Sequence, residues 1–128
     1  MVDANLSAPP ATKEDAAVAA AEEWLKRVDK CDYAGSWTEA AEFLRNAMKQ
    51  AQWVQALTAY HTPLGKVISR KVISKALKTS LPGAPDGEYV IIQFATSFEN
   101  KKSAVETVTP MLEKDGKWRV SGYYIGGE

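Results

Sequence analysis

Glu106 has more chemistry to offer than any other residue in this sequence. It stands between Ala104 and Val108 at strand spacing, on a face that is otherwise apolar. Successive side chains of a strand alternate between faces, so these three share one side. A carboxylate there has two uses. It can act as a base or grip a ligand inside a pocket, or it can form half of a cross-strand ion pair with Arg70 or Arg119. Arg70 and Gln93 lie on neighbouring strand-like runs with the same two alternatives. Glu106, Gln93 and Arg70 are therefore the candidate ligand-binding residues.

The remaining reactive side chains point to less. His61 is the only histidine and follows Tyr60 at a helix end, where an imidazolium would suit the negative pole of the helix. Cys31 is the only cysteine. It can form no intramolecular disulfide, and Lys30 alone activates a thiol little, so it is expected to be a small buried apolar residue. One histidine and one cysteine make a metal site improbable, and no cofactor fingerprint occurs, so the expectation is no metal and no cofactor. Lys66, Arg70, Lys71, Lys75 and Lys78 fall in a stretch without an acid from 66 to 80, a pattern that protects a strand edge from aggregation. Trp24, Trp37, Trp53, Tyr60 and Trp118 are expected mostly in the core.

Sixteen basic and sixteen acidic residues cancel, which weighs against nucleic acid as a partner, because phosphate binding needs a cationic face. The balance is uneven along the chain: residues 1–64 carry six basic and nine acidic groups, and residues 65–128 carry ten and seven. No apolar run approaches the roughly 20 residues of a membrane span.

These residues need elements to hold them. Residues 1–11, with two prolines and no periodicity, read as a flexible lead, and 12–128 as a single domain of ordinary size. Thr12 and Asp15 imitate a capping box at the start of a helix reaching Lys30, with Val18, Ala21, Leu25 and Val28 as its apolar stripe. Asp32 or Ser36 can cap a second helix, whose end is undefined because no Gly or Pro lies between Gly35 and Pro63. A third helix is expected from the low fifties to Tyr60. After Gly65 the pattern turns to strands. These are Lys66 to Ser80, with a bulge expected near Arg70 and Lys71, then Glu88 to Phe98, Ala104 to Leu112 and Trp118 to Ile125. Turn formers fill 81–87 and 114–117. Pro110 implies an edge or a bulge, and Gly122 permits a bend.

An order of helices followed by four antiparallel strands resembles the cystatin-like superfamily in its nuclear transport factor 2-like cone form. At residue level the chain resembles the bacterial domain of unknown function 4019 family. The resemblance lies in Asp32-Tyr33-Ala34 with Ser36-Trp37, in Gln52-Trp53, in Pro63-Leu64-Gly65 with Ser69-Arg70, and in the run from Ser80 to Tyr89. It continues in Gln93-Phe94 with Thr96, Glu106-Thr107-Val108, Trp118-Arg119-Val120 and Gly122-Tyr123, covering roughly 15–125. It implies an α+β cone with N-terminal helices packed on a curved four-stranded sheet, no known activity, and export. The stretch Leu6 to Ala11 fits the beginning of a mature exported chain, so the expected location is periplasmic or secreted.

The function expected from these readings is a non-catalytic exported binding or protein-interaction module. The alternative is an acid–base enzyme of the isomerase or hydratase kind, with a small-molecule pocket in the cone and Glu106 as base. Strand 88–98 is apolar on both sides and the helices cover only one. A homodimer is therefore expected through the outer sheet face at Tyr89, Ile91 and Tyr123.

Overall fold

Alanines after a charged first turn mark the first element of the computed structural model, which describes residues 12–127. The expected lead at 1–11 lies outside them. Thr12 caps α1 (Lys13–Asp29), its hydroxyl accepting from the Asp15 backbone N–H at 3.0 Å. Ala17, Ala21, Trp24, Leu25 and Val28 form the buried face of α1. The helix ends in a Schellman arrangement, with the N–H of Cys31 donating to Val28 and that of Asp32 to Arg27, both at 2.9 Å.

The second expected helix is two short pieces, α2 (Tyr33–Thr38) and α3 (Glu42–Ala47), while the third is α4 (Gln50–Tyr60), followed by a 3₁₀ turn over Thr62–Leu64. Tertiary bonds, rather than glycine or proline, make the breaks. The Ala41 N–H donates to the Val120 carbonyl on the sheet (2.8 Å), and the Glu113 carboxylate caps the Glu42 N–H (2.9 Å). The Trp37 indole N–H takes the Met48 carbonyl at 2.7 Å.

Four strands follow, β1 (Val67–Lys78), β2 (Tyr89–Phe98), β3 (Lys101–Leu112) and β4 (Trp118–Gly127), antiparallel in the order β1-β2-β3-β4. Strand β1 shifts register at Ile68 and Ile73, to either side of the expected bulge at Arg70 and Lys71. Strands β3 and β4 shift between Thr109 and Pro110, where Ser121 is the extra residue opposite. Each bulge bends its strand and increases its twist, which curves the sheet around α1. Val90, Ile92, Phe94 and Val108 on the concave face meet Leu25, Val28, Trp24, Trp53 and Leu57 in one core. The result is an α+β cone with helices on a curved antiparallel sheet.

Candidate functional site

Strand register decides which side chains meet. Arg70 is opposite Thr96 in β2, Phe94 is opposite Glu106 in β3, and Val108 is opposite Tyr123 in β4. All of them face inward. Glu106 is completely buried, and both of its oxygens are engaged. Oε1 accepts from Arg70 Nε at 2.7 Å and from Thr96 Oγ1 at 2.6 Å, while Oε2 accepts from the Tyr123 hydroxyl. The two terminal nitrogens of Arg70 fork onto Asp29, each at 2.9 Å. Asp29 is the last residue of α1, a position where the helix dipole disfavours a carboxylate. The bidentate guanidinium offsets that cost and ties the helix to the sheet.

The electrostatics follow from burial and pairing. Burial, the strongest influence on Arg70, works to lower its pKa. The hydrogen bonds and charges of Asp29 and Glu106 outweigh it and hold the guanidinium above its ordinary value. Burial also pushes the Tyr123 phenol well above its usual range, and the neighbouring Glu106 charge adds to the effect. Tyr123 therefore stays a neutral donor. It also stands between Glu106 and the open space beyond.

That space is a cavity of about 580 Å³. Its helical wall is Met48, Trp53, Ala56, Leu57 and Tyr60 with Leu64, and its sheet wall is Lys101 and residues Tyr123 to Gly126. Trp53 is fixed by its indole N–H, which donates to Ser36 Oγ at 2.9 Å. The Ser36 hydroxyl in turn donates to the Tyr33 carbonyl at 2.7 Å. Trp53 and Tyr123 both pack on Trp24, at ring distances of 6.2 and 5.4 Å. A larger groove of about 680 Å³ runs between α1 and the start of β4. It is lined largely by charges that already pair, such as Lys26 with Glu23, Arg27 with Asp32, and Arg119 with partners on its own hairpin.

The structure thus brings Arg70 to Glu106 but places Gln93 on the opposite face, where it accepts from Ser74 Oγ at 3.0 Å. Gln93 pairs with Thr107, one residue beyond Glu106, and strand alternation sends it outward. Asp29, Thr96 and Tyr123 complete the cluster and were missing from the candidate set. The expected interface also changes. Tyr123 points inward, because the extra residue at Ser121 reverses the alternation of β4. Tyr89 faces outward but is fully buried, its hydroxyl donating to the Pro85 carbonyl of the preceding loop. Only Ile91 keeps the expected position, half-buried on the outer face.

Two further corrections concern the reactive residues. Cys31 is exposed, and it occupies the left-handed position of the Schellman turn (φ 61°), where glycine would be less strained. His61 closes α4 as expected but is buried and only 2% exposed. Burial lowers its pKa against the opposing charges of Glu106 and Asp29. Its Nδ1 meets the Tyr33 hydroxyl at 2.7 Å, while Nε2 has no partner among the described residues. The Tyr33 phenol is pushed up to about 12, first by burial and then by its contact with Cys31. Among the described residues, no group of three or more His, Cys, Asp and Glu gathers to hold a metal, and no helix is long and apolar enough to cross a membrane.

A family model described as a protein of unknown function (DUF4019) matches residues 20–123. The solved structure of ActVI-ORFA from Streptomyces coelicolor is similar over 88% of this chain and 95% of that one, with a TM-score of 0.56 and 14% identity. At that identity the likeness speaks for the nuclear transport factor 2-like fold alone. No curated protein matches the sequence.

Proposed function

The chain belongs to this family of unknown function, and from that premise we propose that it is a non-catalytic binding module. It holds a small, largely apolar molecule in the cavity between α4 and β4. The observation that carries this reading is the division of labour at Tyr123. On one side of its ring lies a cavity of a size suited to small ligands, 580 Å³ with aromatic and aliphatic walls. On the other side Glu106 is sealed and held by three donors.

A general base must come within hydrogen-bond reach of the proton it takes, and here Tyr123 occupies that approach. A relay through Tyr123 would have Glu106 take the phenol's proton, leaving a tyrosinate beside a protonated carboxyl group, and the raised phenol pKa opposes that transfer. The cluster therefore supports a rigid wall rather than acid–base turnover. Ala56 lines the cavity from α4, so Ala56→Trp fills it. In a thermal-shift panel of small apolar metabolites, one or more should raise the melting temperature of the wild type and none that of the filled variant. Consumption of a panel compound by the wild type, lost in Glu106→Gln, would favour the enzyme reading instead.

A second copy on the outer sheet face belongs to the same proposal, supported by the uncharged strip that Ile91, Ala95, Val105 and Thr107 form there. The resemblance to an exported family extends the proposal to a periplasmic or secreted location. Fractionation of cells producing the full-length protein tests that extension.

A further inference from the structure

We propose that the ligand of this cavity is an amphipathic anion, seated with its negative group at Lys101 and its apolar body against Trp53 and Tyr123. This rests on the binding reading above and adds the chemical class of what is bound. Lys101 is the only charged residue among those lining the cavity, and no acid lines it. Its direction is set by register. Lys101 is opposite Phe98, which is completely buried on the concave face, so the lysine side chain leaves the strand on the cavity side. It is half-buried and makes no ion pair among the described residues. A partly desolvated ammonium attracts an anion more strongly than one in open water does.

The polarity of the site has a direction too. Glu106 and Asp29, the carboxylates behind Tyr123, would repel a ligand's negative group. Lys101 and Glu106 are opposite Phe98 and Phe94, four residues apart along β2, a separation of about 13 Å at the rise of a strand. At physiological salt that exceeds the screening length of about 8 Å. The anionic end therefore belongs at the Lys101 rim and the apolar end at the Tyr123 floor. Tyr60, 74% exposed, stands at the same cavity and offers a ring face for a flat body.

The test is a matched pair of probes, naphthylacetate and naphthylacetamide, titrated into the protein by calorimetry at low salt. They share an aromatic body and differ in charge. The anion should bind about tenfold more tightly than the amide, the difference expected of one charge-assisted hydrogen bond. Lys101→Met should erase that preference while keeping amide binding, and added salt should shrink it in the wild type. Ala56→Trp should abolish binding of both. Equal affinities in the wild type, or a preference that survives Lys101→Met, overturn the anion assignment and leave the binding reading standing. If neither probe binds a protein that still melts cooperatively, both readings fall.

Discussion

Glu106 and His61 are the two buried ionisable groups on which single substitutions say most. Glu106→Ala removes the acceptor of three donors at once, stranding Thr96 and Tyr123 and half of Arg70, although Asp29 keeps the other half. Breaking a buried pair from one side costs about 3–5 kcal/mol, and urea unfolding should show a loss in that range. A loss under about 1 kcal/mol, the scale of an exposed pair, would mean the cluster is wetter than its geometry indicates. His61 is expected to contribute to the acid limb of stability. Its folded pKa lies below the ordinary 6.5, so between the two values the unfolded chain binds the extra proton. The contribution is intact above 6.5 and is lost as pH falls below it. Unfolding midpoints at about pH 7.5 and 5.5 should differ in the wild type and differ less in His61→Gln; an unchanged difference would assign the acid limb to other groups. The sequence put forward both Arg70 and Arg119 as partners of Glu106, and the register across β1, β2 and β3 selects Arg70. The sequence could not show Asp29, Thr96 or Tyr123, because those contacts depend on where a helix ends and on a bulge in β4.

Elements here take their limits from one another more than from local signals. Helix α1 was legible from end to end, since its cap, stripe and terminal charges agree. The division of the stretch before α4 was not. Its breaks are made by Val120, Glu113 and Trp37, two of them distant in sequence. Strand positions were readable from alternation, and their faces were readable only as far as the first bulge. In β4 both Val120 and Tyr123 point inward across Ser121, an arrangement that unbroken alternation forbids. Ser36 is the joint of the helical layer. Its carbonyl accepts from the Trp24 indole at 2.8 Å and its hydroxyl from that of Trp53 at 2.9 Å. In Ser36→Ala the Trp53 N–H is buried without an acceptor, at a cost of about 1–3 kcal/mol. Because Trp53 lines the cavity, affinity for any cavity ligand should fall along with the melting temperature. A variant with unaltered stability and affinity would show that α2 does not position that wall.

At the scale of the whole molecule, the question is what the convex side of the sheet meets. The helices cover the concave face only. Across β2 and β3 the outer side presents Ile91, Gln93, Ala95 and Ser97 beside Val105, Thr107 and Thr109, without a charge among them. Soluble surfaces normally break such a strip with charged side chains, and its lack of charge makes it the face on which a second copy is expected to pack. Charges return at its margin, with Lys71 next to Ala95 in β1. Strand β1, rich in lysine and bulged twice, carries the features that discourage edge pairing. Face-to-face packing is therefore favoured over extension of the sheet. A two-fold axis through the strip would bring each copy's Ile91 and Val105 onto the same patch of its partner, and a stable dimer needs about 800 Å² from each side. Sedimentation equilibrium at micromolar concentration should return the mass of a dimer. Ile91→Lys with Val105→Lys should return a monomer whose circular dichroism is unchanged, because neither side chain enters the core. A wild type that sediments as a monomer with its fold intact would leave the convex face to a different partner.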